Sequence, residues 1–109
     1  MTPFAQSGKS ITFTANTTAP TAVQASNNEQ TSLSGNYRIC NAGTNVVFLG
    51  IGRTATEAVA NASVLTSSAN CLPILPGAIE VFKFGLNSYF TGITATGSSV
   101  IYVTPGAGI

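Results

Sequence analysis

Residues 76–105 read PGAIEVFKFGLNSYFTGITATGSSVIYVTP, and the reading of this stretch decides the fold. Three apolar runs, 78–84, 88–94 and 99–104, are rich in β-branched and aromatic side chains. Gly85-Leu86-Asn87 and residues 95–98 separate them with turn formers. Strands of about 6 residues joined by loops of about 3 to 4 fit an antiparallel meander, and that pairing is the expectation. A helix is excluded because Gly85, Gly92 and Gly97 interrupt the stretch and no 3.6-residue apolar stripe survives. Three strands cannot bury an apolar side alone, so the preceding chain has to supply a facing layer.

Moving outward, residues 36–41 (NYRICN) have strand character, Ala42-Gly43-Thr44 supplies a tight turn, and 45–52 (NVVFLGIG) is the longest apolar run of the first half. Together, 37–51 read as a strand–turn–strand unit. Val47, Leu49 and Ile51 share one face and Val46 and Phe48 the other, so this strand is expected to be buried on both sides. Residues 9–15 (KSITFTA) alternate, with Ile11 and Phe13 on one face. Residues 21–25 (TAVQA) form a weaker strand, and 71–75 (CLPIL) a short one that Pro73 confines to an edge or a bulge. Residues 26–35 (SNNEQTSLSG) read as an exposed loop. Residues 53–63 (RTATEAVANAS) are either a short helix, capped by Thr54 with Glu57 at the third helical position, or a long loop.

The sum is seven or eight short strands with at most one helix. Turn signals recur every 8 to 12 residues or so. The predicted fold is all-β, an antiparallel two-sheet sandwich, with the jelly roll as one form of it. Ile11, Phe13, Ile39, Leu49, Val81, Ile93, Ile101 and Val103 are the predicted core. A chain of 109 residues makes a single domain. Within it, 1–9 read as a flexible arm with Phe4 as its one anchor, either a frayed terminus or an arm lying across a neighbouring subunit, and 105–109 as a C-terminal tail.

Only 6% of residues are charged against 44% hydrophobic, so Thr, Ser, Asn, Gly and Ala must cover the surface. Such a surface suits packing against another protein, since little charge has to be desolvated. Four Lys and Arg residues at a net charge of +1 cannot build a basic stripe for nucleic acid. No apolar run approaches the roughly 20 residues that span a bilayer, so no membrane partner is expected. The first ten residues lack the charged and apolar regions of a signal peptide, which leads to the expectation of synthesis in the cytoplasm. Cys40 and Cys71 then read as reduced, buried thiols rather than a disulfide.

The inventory argues against an enzyme. Without His or Asp, neither a Ser–His–Asp nor a Cys–His arrangement can be built. Two Cys and three Glu (Glu29, Glu57, Glu80) do not make a metal site, and no cofactor motif is present. Gly50-Ile51-Gly52 lacks the third glycine and the βαβ surroundings of a phosphate-binding fingerprint and reads as a strand end. Phe82, Phe84, Tyr89, Phe90 and Tyr102 read as core rather than as a stacking platform. Strand alternation places Glu80 with Phe82 and Phe84. It is either a partly buried carboxylate facing Arg38 or Arg53, or part of an exposed face that meets another chain.

Three pieces, YRICNAGTNVVFLGIG, LPILPGAIEVFKF and the terminal ITATGSSVIYVTPGAGI, resemble small structural proteins encoded by tailed bacteriophages. The nearest class is the capsid decoration, or cement, protein, a small β-sandwich bound to the outside of the head. The resemblance implies a structural virion protein without catalytic residues. It is made in the host cytoplasm, self-associates as a dimer or trimer, and has the major capsid protein as its partner. Phe4, Lys9, Arg53 and Glu80 are the expected protein-contact residues. The alternative is a carbohydrate- or host-recognition module of a phage tail or adhesin, which requires aromatic and Asn side chains exposed in one groove.

Overall fold

In the computed structural model, which describes residues 3–6, 8–26 and 35–107, nine strands and one helix follow one another. The strands are β1 (Ala5–Gln6), β2 (Ile11–Ala15), β3 (Val23–Gln24), β4 (Asn36–Asn41), β5 (Val47–Gly52), β6 (Leu72–Ile74), β7 (Ile79–Lys83), β8 (Tyr89–Ile93) and β9 (Ser99–Ala107). The helix α1 (Ala55–Asn61) lies between β5 and β6. The chain is folded in half about this helix, so that β2 pairs with β9, β3 with β8, β4 with β7 and β5 with β6, all antiparallel. This long hairpin is then rolled up, which brings β9 against β4 and β8 against β5. The result is a front sheet, β2-β9-β4-β7 with β1 alongside β9, facing a back sheet, β3-β8-β5-β6. That order is the jelly roll, and the all-β two-sheet sandwich expected from the sequence is the observed fold.

Strand positions agree with the sequence reading, but two pairings do not. β7, β8 and β9 do not form a meander: β7 and β9 belong to the front sheet and β8 to the back. Likewise β4 and β5 lie in opposite sheets rather than in one hairpin. The reason is a matter of span. A linker of 3 to 5 residues or so crosses the roughly 10 Å between sheets as readily as it turns a hairpin, and its Gly and Asn content is the same in both cases. At the β7–β8 crossing Asn87 takes a left-handed conformation, φ 58°, which Asn tolerates better than most residues.

The core fills from both sheets. Phe13, Tyr37, Ile39, Ile101 and Val103 project from the front and Val47, Leu49, Ile74 and Phe90 from the back. Of the predicted core, Ile11, Val81 and Ile93 are only half-buried. Val81 and Ile93 fall on outer faces, since their cross-strand partners Arg38 and Phe48 point away from the core. Tyr37 was not on that list, yet it is fully buried. Its ring meets Phe90 edge-on with centroids 4.9 Å apart. Its hydroxyl donates to the Gly85 carbonyl at 2.7 Å and accepts from the Ser88 N–H at 3.3 Å, tying β4 to the β7–β8 crossing. Tyr37→Phe removes both bonds; the Gly85 carbonyl keeps the Ser88 hydroxyl, but the buried Ser88 N–H loses its acceptor, so we expect a loss of about 1–2 kcal/mol in chemical denaturation.

Residues 53–63 resolve as the helix. The Thr54 hydroxyl accepts from the Glu57 N–H at 3.1 Å, the N-cap bond the sequence implied. Asn61 donates to the Ile51 carbonyl at 2.8 Å and pins the far end to β5. Gly50 and Gly52 are not merely a strand end. They face outward beneath the helix, and a Cβ at either would overlap α1: Ala58 O and Ala62 N at Gly50, Ala58 N at Gly52. Pro73 stands in β6 at the back-sheet edge, as expected. Cys40 and Cys71 are free but half-buried rather than buried.

Both ends of the chain differ from expectation. Residues 105–107 are not a tail but the last part of β9, bonded to β4 on one side and β1 on the other. Within the expected arm, Ala5–Gln6 is a strand on the molecule's own sheet, and Phe4 covers Gly106, where a Cβ would strike its ring. A glycine at this point lets the arm fold back onto its own sheet. The loop expected over 26–35 lies mostly outside the described residues, as does Glu29.

Candidate docking face

The outer faces of the two sheets differ in what lies on them. On the back sheet, α1 sits over Gly50 and Gly52. The segment before β3 also lies there, held by the Thr91 hydroxyl donating to the Pro20 carbonyl at 2.8 Å. No described helix covers the front sheet, so its outward side chains define an open face.

Cross-strand partners share a face, so the register gives the layout of that surface. One row runs Thr12, Tyr102, Cys40, Ile79 across β2, β9, β4 and β7. The next runs Thr104, Arg38, Val81, and a third ends in Asn36 and Lys83. Tyr102 is 46% exposed and Ile79 54%, and Cys40 and Val81 between them are half-buried. The centre is thus apolar with one phenol, and the cations Arg38 and Lys83 stand to one side. Apolar centres with polar rims are the common anatomy of protein–protein contacts, and Tyr is enriched in them.

The expected contact residues are distributed over the molecule. Phe4 is half-buried over Gly106 and Lys9 is exposed, both beside β1 at one edge of the front sheet. Glu80 is exposed on β7 at the opposite edge. It shares the inner face with its partner Ile39, but at the edge it reaches solvent. Arg53 follows β5 in the back sheet, at the rim of an open hollow of about 360 Å³ walled by Ile51, Leu72 and Phe84. The four therefore do not form one patch. The sequence reading placed Tyr102 with the core aromatics. The signal against this was available, since Tyr102 alternates with Ile101 and Val103, both named as core.

Among the described residues no group of three or more His, Cys, Asp or Glu could hold a metal ion, and no helix is long and apolar enough to cross a membrane. Comparison of the chain with family models, curated proteins and solved structures finds no match.

Proposed function

We propose that this protein is a non-catalytic structural component of a tailed-bacteriophage virion that decorates the outside of the capsid. Its open front-sheet face lies on the major capsid protein. The observation that carries this reading is the asymmetry of the sandwich, in which α1 covers the back sheet while Tyr102, Cys40, Ile79 and Val81 are left on the front. The phage-like motifs quoted above supply the choice of partner. Self-association belongs to the same reading, whereas nucleic acid, membrane and cofactors do not.

Co-sedimentation with tailed-phage heads stripped of their own decoration proteins tests this. Tyr102→Lys places a charge in the centre of the face while leaving the core untouched, and should weaken retention at least about 10-fold, the effect of losing a modest hot spot. Because the face carries few charges, affinity should change little between about 50 and 200 mM salt, where a polyanion binder loses about 10³-fold or more. Wild-type protein that stays in the supernatant at all concentrations, or Tyr102→Lys retained like wild type, would overturn the proposal. Retention on a glycan array with none on heads would favour the recognition-module alternative.

A further inference from the structure

The front sheet ends at β7, and the backbone on that edge has a definite arrangement. In the β4–β7 ladder, Phe84 N donates to Gly35 O and Asn41 N to Ala78 O. Antiparallel bonding alternates, so Glu80 and Phe82 turn their backbone groups toward Ile39 and Tyr37. Ile79, Val81 and Lys83 therefore direct N–H and C=O away from the sheet. Among the described residues no hydrogen bond reaches them from that side.

The other three sheet edges are blunted. β6 has 3 residues and carries Pro73, β3 has 2, and the edge opposite β7 is broken between Gln6 and Ile11. Short, interrupted or proline-bearing edges resist pairing. β7 is an unbroken, proline-free run of 5 residues, Ile79–Lys83.

We infer that β7 is a self-association edge, pairing antiparallel with β7 of a second copy about a two-fold axis through Val81. Its own sequence is the argument for this occupant. In that register Val81 faces Val81, Ile79 faces Lys83 and Glu80 faces Phe82, so neither charged side chain meets its like. Moving the axis one residue to Glu80 sets the two carboxylates face to face, a destabilising pair. Moving it to Phe82 leaves only the Val81–Lys83 pairs bonded, about four hydrogen bonds, and moving it on to Lys83 sets two lysines face to face. Shifting it to Ile79 runs the partner strand into the turn at 76–77. The central register forms about six backbone hydrogen bonds. It joins the two front sheets edge to edge, so the row ending in Ile79 continues into the second copy. A two-fold contact of this kind closes at two copies. This deepens the self-association in the proposed function by naming its surface, and its test needs no shell.

Light scattering on the full chain should show the mass rising from 11.1 kDa to twice that value between about 10 µM and about 1 mM, the affinity range of a small interface. Amide exchange by NMR should slow with concentration at Ile79, Val81 and Lys83, while Glu80 and Phe82 stay protected throughout. Val81→Lys, which brings two lysines together on the axis, should remain monomeric with an unchanged circular dichroism spectrum. Val81→Pro deletes an N–H that the monomer does not use and serves as the second variant. Tyr102→Lys, which should weaken shell retention, should leave the dimer intact. A monomer at every concentration, a trimer, a dimer that survives Val81→Lys, a dimer lost in Tyr102→Lys, or exchange at the three amides independent of concentration would each overturn the inference. Failure of shell binding alone would not touch it.

Discussion

Asn41→Ala is expected to lower the free energy of unfolding by about 3–5 kcal/mol, a large share of the roughly 5–15 kcal/mol typical of a domain. Asn41 is fully buried where β4 leaves the front sheet. Its Nδ2 donates to the Asn45 carbonyl at 2.9 Å and to the Ile74 carbonyl at 3.0 Å, and its Oδ1 accepts from the Gly43 N–H at 3.0 Å. One side chain thus shapes the β4–β5 crossing and joins it to β6 in the other sheet. Alanine takes this partner from all three backbone groups; the Asn45 carbonyl keeps the Ser99 hydroxyl at 3.0 Å, whereas the Ile74 carbonyl and the Gly43 N–H lose a bond in the interior, each at about 1–3 kcal/mol. Aspartate does not rescue, because it keeps the acceptor but loses the donor and places a charge in the interior. With a urea slope of about 1.5 kcal/mol per molar, the midpoint should fall by about 2–3 M for Ala and at least as far for Asp. A shift under about 0.5 M would show that the crossing is held by other bonds.

Gly50→Val should be the next most damaging change. The new Cβ would occupy the space of the Ala58 carbonyl and the Ala62 nitrogen, and backbone cannot step aside as a flexible side chain can. Either α1 lifts off the back sheet or β5 shifts inward and presses Leu49 into the core. Overpacking of this kind costs about 1–3 kcal/mol, with more where backbone is displaced. Amide exchange should quicken through Ala55–Asn61, while the front-sheet ladder of β4 and β9 stays protected. Gly85→Ala is the control. A Cβ there meets only Ser88 Oγ, at 3.8 Å, so the change should stay under about 1 kcal/mol. If the two variants unfold alike, the helix does not depend on the room that Gly50 leaves.

Both positions illustrate what a sequence can and cannot disclose. Period-2 alternation located most strands to within a residue or two, because side-chain direction is a local property. Residues 9–15, 36–41 and 99–104 all became strands of the front sheet. Which strand lies beside which is settled by contacts between residues far apart in the chain, such as Ile11 with Val103, and turn chemistry is silent on that. Hence the meander that was read from residues 76–105, and the rolled hairpin that exists. Glycines mislead for the same reason. Gly50 and Gly52 read as punctuation in the sequence, whereas the structure uses them as clearance for a helix a few residues further on. The candidate docking face was half legible. Alternation with Ile101 and Val103 turns Tyr102 outward, whereas Phe4, Lys9, Arg53 and Glu80 stand on separate segments, and only the strand register shows that they lie apart.

The position of β9 has a consequence for synthesis. It is an inner strand of the front sheet, bonded along one side to β4 and along the other to β2 and β1. On the ribosome both its neighbours are made first and must wait, with unpaired edges and the apolar faces of Phe13 and Ile39 uncovered, until β9 emerges. Nothing local can close the gap, since Ile11 meets its partner Val103 only after nearly the whole described chain has been translated. Topologies of such long sequence separation fold slowly and pass through states prone to association. The front sheet should therefore form only once β9 has left the ribosome. Nascent chains arrested before residue 99 should be protease-sensitive and bound by chaperones, and chains released beyond residue 107 resistant.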